Sequence, residues 1–165
     1  MKTRVKQMTY SSMIGAIYFI LCFFQQDFAS GAIQCRLSEG LTLLPLFFPE
    51  AILGVTIGCL IWNIMHGVLY DVIFGTLATL IACIITYLIG KLIKNDFLRI
   101  ILGGLPPILI NALVIPLVIL FGYGETLSYG YLFLTIGLGQ LIAVYVVGTI
   151  VYFPLKEILK RVNVI

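Results

Sequence analysis

GAIQCRLSEGLTLLPLFFPE, residues 31–50, sets an apolar run at 37–48 directly behind Gln34, Arg36 and Glu39. Whether that run counts as a helix decides the topology of the whole chain. As an α-helix it reaches only about 18 Å at about 1.5 Å per residue, against a bilayer hydrocarbon core about 30 Å thick. It can cross only if the loop before it dips into the membrane.

Its surroundings are strongly apolar. Of 165 residues, 61% are hydrophobic and only 10% charged, with a mean hydropathy of +1.14, whereas an average soluble domain carries roughly 25% charged residues. The composition reads as an all-α integral membrane protein. Apolar runs at 8–28, 37–48, 50–67, 70–93, 98–121 and 128–154 take up most of the chain, so residues 1–165 are expected to form a single membrane domain. The opening MKTRVK with an apolar run behind it resembles a secretory signal. That run outlasts the usual apolar region of about 7–15 residues and ends in QQDF, so it reads as a retained first span.

Charge settles the count. Lys and Arg form three clusters (Lys2, Arg4, Lys6; Lys91, Lys94, Arg99; Lys156, Lys160, Arg161), and basic flanks favour the cytoplasmic side. Placing all three clusters there requires an even number of crossings between them. Counting the run at 37–48 gives four crossings and then two; omitting it gives three. The expectation is therefore six transmembrane helices, a short second one, and both termini cytoplasmic. Arg36 alone among the ten basic residues then falls on the outer side, beside Glu39. The net charge of +3 lies along membrane flanks, and no nucleic-acid partner is expected.

The cysteines, Cys22, Cys35, Cys59 and Cys83, have no C-x-x-C spacing and no clustered histidine, so they read as small buried hydrophobes without a metal. No cofactor is implied. Pro45, Pro49, Pro106 and Pro107 punctuate helix ends or kink the fifth helix, freeing carbonyls that need partners. Gly54 and Gly58 form a G-x-x-x-G, and Ser12 and Ala16 a small-x-x-x-small, spacings that permit close helix approach.

The polar residues within the spans point to function. Projected along their helices, Asn63 and Asn111 fall in the outer half of the membrane, Gln140 near its midplane, and Glu39 and Asp71 at outer helix ends. Unpaired polar groups in hydrocarbon cost several kcal/mol each, so these should face one another or a wet cavity. Each has a plainer structural role available: Asp71 as a helix cap, Arg36 with Glu39 as an ion pair, the amides as interhelical hydrogen bonds, Trp62, His66 and the tyrosines as interfacial residues. Their collection on one side favours an outward-facing binding site. The chain has no G-x-x-x-x-G-K-[ST], no H-E-x-x-H and no G-x-S-x-G, so neither ATP hydrolysis by a P-loop nor familiar hydrolase chemistry is expected. Nor does it divide into two matching halves with interrupted helices, as many secondary transporters do. A self-sufficient small transporter or channel for another polar solute remains the alternative.

The blocks GAIQCRLSEGLTLLPLFFPEAILGVTIGCLIWN, YDVIFGTLATLIA, LPPILINALVI and TIGLGQLIAVYVVG resemble the QueT family of substrate-binding S components of energy-coupling factor transporters. The resemblance implies a six-helix fold that binds a queuosine precursor, 7-aminomethyl-7-deazaguanine or a related 7-deazaguanine. It also implies partnership with a transmembrane coupling protein (EcfT) and ATPases (EcfA) in the bilayer of the cell membrane. On this resemblance Glu39 would accept the base's paired N–H donors, with Arg36, Asn63 or Asn111 donating to its carbonyl. Asp71 with Gln140 would hold the aminomethyl group, Gln34 would close the rim, and Trp62 would stack on the ring. Ser12 and Ala16 stand where such proteins carry an A-x-x-x-A for partner docking, and Gln140 stands where the family pattern carries an acid.

Overall fold

The computed structural model describes residues 2–26 and 36–161. Among them lie six helices and no strand: α1 (Lys2–Phe24), α2 (Leu37–Leu46), α3 (Glu50–His66), α4 (Asp71–Leu92), α5 (Asp96–Gly122) and α6 (Tyr129–Arg161). Residues from Arg4 in α1, together with α4, α5 and α6, are long and apolar enough to cross a membrane; α3 is apolar but shorter. The helices follow the six apolar runs in order. α1 starts earlier than its run and ends earlier, at Phe24, because the basic residues continue the helix while Gln25 turns away and accepts from the Leu37 backbone N–H at 2.7 Å. α6 carries on past residue 154 to Arg161.

The short run forms a 3-10 helix, where the sequence suggested α geometry. Pro45 lacks an N–H, and Thr42 turns its hydroxyl back onto the Glu39 carbonyl at 2.5 Å; both favour tight, locally bonded turns over the α ladder. At about 2.0 Å per residue the stretched form carries these ten residues through roughly 20 Å. Every residue from Ser38 to Leu46 is buried, and α2 touches each of the other five helices.

Glycines make that burial possible. A Cβ on Gly40 would come within 2.9 Å of the Ala143 carbonyl oxygen and the Gly148 backbone nitrogen, so α2 lies directly on the wide π turn of α6 at Ile142–Val147. At its other end Leu46 presses on Gly90 of α4 and Gly103 of α5. The G-x-x-x-G of α3 serves packing: Gly54 meets the Ser11 carbonyl and Ile14, and Gly58 meets the Gly15 carbonyl and Tyr18. The small residues of α1 that face α3 are thus Ser11 and Gly15, while Ser12 and Ala16 lie on its exposed side.

α5 continues through Pro106, Pro107 and Pro116. Pro107 cannot donate to the Gly103 carbonyl four residues back, and the Thr86 hydroxyl of α4 donates to that oxygen at 2.8 Å. Tyr145 of α6 likewise donates to the Ile101 carbonyl at 2.7 Å. The kink-prone stretch is held from two neighbouring helices.

Gly40→Ala forces a methyl against two backbone atoms that cannot swing away, and overpacking of this kind costs about 1–3 kcal/mol. A lowered thermal midpoint of the detergent-solubilised protein is expected. Gly130→Ala, whose Cβ would meet only the Ser128 hydroxyl at 3.8 Å, should leave the midpoint unchanged or raise it.

Candidate functional site

Glu39 sits three residues into the region after Arg36, in the first turn of α2, and is 1% exposed. A buried carboxylate needs donors, because the desolvation of an unpaired ion costs several kcal/mol. Two arrive from opposite helices. Tyr18 of α1 donates its Oη to Glu39 Oε1 at 2.5 Å, and Asn111 of α5 donates its Nδ2 to Oε2 at 3.1 Å. Each oxygen thus holds one protein donor, leaving about two of the carboxylate's four acceptor positions.

Beside this lies a second cluster. Arg36 Nη2 meets Asp71 Oδ2 at 3.5 Å, with both side chains buried. Arg36 therefore pairs with Asp71 across the bundle, where the sequence offered Glu39 as the plainer partner. The two clusters adjoin through the backbone, where the Glu39 N–H donates to the Arg36 carbonyl at 3.0 Å. Asp71 opens the π turn Asp71–Gly75, and its carboxylate is bracketed by glycines. A Cβ on Gly67 would approach Oδ2 to 3.2 Å, and one on Gly75 would overlap Oδ1. Asn63 fastens this turn to α3, donating to the Asp71 carbonyl at 3.1 Å and to the Thr76 hydroxyl at 3.4 Å.

Three buried acceptors in this inventory lack a hydrogen-bond partner among the described residues: Asp71 Oδ1, Asn63 Oδ1 and Gln140 Oε1. Gln140 is 4% exposed and lies just before the π turn of α6. Trp62 is buried, with one ring face stacked on His66 at a centroid distance of 3.8 Å and Phe19 edge-on at 6.1 Å. Tyr123 follows α5; its partial burial, and then the nearby Asp71 carboxylate, raise its phenol above the ordinary value. Gln34 and Cys35 lie outside the described residues. Cys22, Cys59 and Cys83 are free and buried, with Cys22 on the Ser38 hydroxyl at 3.0 Å and Cys59 on Thr79 at 3.4 Å.

Of the residues expected at a site, Arg36, Glu39, Asn63, Asp71 and Asn111 thus form two adjoining hydrogen-bonded clusters. Sequence reasoning missed Tyr18, because a tyrosine inside an apolar run reads as a belt residue. Its place on the face of α1 that meets α3, beside Gly15, depends on a helix rotation that hydropathy does not encode. It also missed the threonines Thr42, Thr76 and Thr79, fully or nearly buried, which are too ordinary in membrane helices to stand out. Chemically, the site offers one anchored carboxylate, one paired carboxylate and several amides in a dry setting, the equipment for reading a small, hydrogen-bonding solute.

A family model described as QueT transporter matches residues 8–157. The "Queuosine precursor transporter QueT" of Lactococcus lactis subsp. cremoris (strain MG1363) is 32% identical over 98 residues, which is 58% of this chain and 58% of that relative. The alignment thus spans less than two thirds of that relative's length. No solved structure matches.

Breaking a buried ion pair by removing one partner costs about 3–5 kcal/mol. Asp71→Asn is therefore expected to lower the thermal midpoint of the purified protein markedly, and the double variant Arg36→Met with Asp71→Leu to recover most of the loss. Equal midpoints for Asp71→Asn and the native protein would show that the pair contributes nothing to folding.

Proposed function

The chain belongs to the QueT transporter family, transport proteins and not enzymes, and is a multi-pass protein of the cell membrane; from that premise we propose that it is the substrate-binding subunit of an energy-coupling factor importer for a queuosine precursor. The relative's name supplies the substrate class. Residues 1–165 then form one binding domain that captures a 7-deazaguanine from outside, while a coupling protein (EcfT) and ATPases (EcfA) drive its uptake from within. A chain without a P-loop needs such partners if uptake is to be driven by ATP.

The observation that carries the substrate reading is Glu39. A carboxylate buried at the head of a short helix, with one protein donor on each oxygen, keeps one acceptor position on each for a ligand. That matches the adjacent ring N–H and exocyclic amine of a guanine-type edge. The unpartnered acceptors on Asp71, Asn63 and Gln140 favour a further donor group, as an aminomethyl substituent supplies. Arg36 is the donor nearest at hand for the base carbonyl, and Gln34 would close the rim. Trp62 joins the pocket only by exchanging His66 for the ligand's ring.

Six crossings with both termini cytoplasmic fit this role. Lys6 and Gln7 near the start of α1 line one groove with Ile158 and Leu159 near the end of α6, so the start of α1 and the end of α6 lie on the same side of the bundle. On α1 the exposed Ser12 and Ala16 are the proposed docking surface for the coupling protein.

Calorimetric titration of the folded, detergent-purified protein with 7-aminomethyl-7-deazaguanine, its 7-cyano analogue, queuine and guanine tests the reading. Tight binding of one deazaguanine in preference to guanine is expected. Glu39→Gln turns an acceptor into a donor facing donors and should weaken binding by roughly 100-fold or more. Failure of every deazaguanine to bind overturns the substrate assignment, and uptake into vesicles by the chain alone would replace the subunit with a self-sufficient transporter.

A further inference from the structure

Glu39 is the residue on which the proposed recognition turns, yet a carboxylate on three rotatable bonds does not by itself present its acceptors in a fixed plane. Its surroundings fix that plane. The Thr42 hydroxyl holds the Glu39 carbonyl at 2.5 Å, which anchors the backbone from within α2. Tyr18 and Asn111 then take one carboxylate oxygen each, from α1 and α5, so the group lies in the plane that serves both donors.

Tyr18 has little freedom of its own. It is fully buried, and its Cβ lies against Gly58 so closely that a methyl there would stand 2.8 Å away. The adjoining Gly15 carbonyl is equally tight on Gly58, at 2.7 Å from the same position. The ring is thereby locked by the α1–α3 contact, and its hydroxyl is delivered to one place.

We propose that Tyr18 and Asn111 are positioning residues that set the specificity of the site, turning the Glu39 carboxylate so that its two remaining acceptor positions meet two adjacent donors on the ligand. This rests on the binding role proposed above. Tyr18 reaches the ligand only through Glu39, and Asn111, which the sequence placed among ligand contacts, acts in the same way. Loss of either donor lets the carboxylate rotate, and a ligand with two donors then loses much of its advantage over a ligand with one.

The test compares a 7-deazaguanine with the matching 7-deazahypoxanthine, which lacks the exocyclic amine, by titration calorimetry on native protein, Tyr18→Phe and Asn111→Leu. Native protein is expected to favour the amino base by roughly 100-fold or more, as sites built to bond a polar group do. Each variant is expected to cut that ratio about 10-fold, one hydrogen bond's share, mainly by weakening the amino base. A purely structural role would lower both affinities together and leave the ratio intact, which would overturn the proposal, as would unchanged affinities. Tyr18→Phe keeps the ring on Gly58; should it fail to fold, Asn111→Leu reads the same ratio. If native protein binds neither base, the binding role itself falls; if it binds and discriminates while both variants discriminate equally well, only the positioning role falls.

Discussion

The structure is organised around an ion that is costly to bury. Glu39 stands at the head of α2 with 1% of its surface exposed, and removing a carboxylate from water costs several kcal/mol unless donors replace the solvent. That requirement draws in Tyr18 from one side of the bundle and Asn111 from the other, so α1 and α5 are tied through α2. The neighbouring pair of Arg36 and Asp71 obeys the same constraint and ties the start of α2 to the start of α4. Hydrogen bonds to charged groups are worth about 1.5–3 kcal/mol each, enough to offset much of the desolvation while leaving acceptor positions on the carboxylate open.

A short helix buried on all sides needs neighbours without bulk. α2 finds them in Gly148, Gly90 and Gly103, and offers its own Gly40 in return. The 3-10 geometry belongs to the same solution, since it lengthens ten residues to roughly 20 Å while keeping each backbone bond inside the segment. The two π turns have positions that matter for the same reason. One widens α6 where α2 lies against it, and the other opens α4 at Asp71, where Gly67 and Gly75 leave room for a carboxylate. Each wide turn thus has one face set against protein, where a hydrocarbon environment tolerates irregular backbone.

Much of this was legible in the sequence. Apolar run lengths located six helices, and a helix count consistent with basic clustering kept the weak run at 37–48, which is the one that became the centre of the fold. The need for partners at proline-freed carbonyls was legible too, and Thr86 meets it at Gly103. What could not be read was rotation about each helix axis. Ser12 and Ala16 share the four-residue spacing of Ser11 and Gly15, yet it is the latter pair that faces α3, one step round the helix. The same lack hid Tyr18, and it led to Arg36 being matched with Glu39, three residues away, when its partner Asp71 lies 35 residues on. Pairings between helices depend on packing that hydropathy does not encode.

The charges at the two ends of the bundle are handled differently. Toward the end where α1 begins and α6 finishes, Lys156 is bonded to Asp96, Tyr152 donates to the same carboxylate at 3.3 Å, and the Asp96 side chain stays 44% exposed. Water shares in holding that pair, so the protein needs few other groups to support it, and it contributes as surface pairs do, about 0–1 kcal/mol. Arg36 and Asp71 have no such help, with side chains only 7% and 5% exposed. In the proposed topology Arg36 is an arginine on the outer side, against the basic-inside pattern, and Asp71 neutralises it within the protein. A chain that needed only an even charge balance could have left Arg36 out altogether. Keeping it, buried and 3.5 Å from its partner, maintains a donor and an acceptor next to Glu39 where hydrocarbon would otherwise suffice.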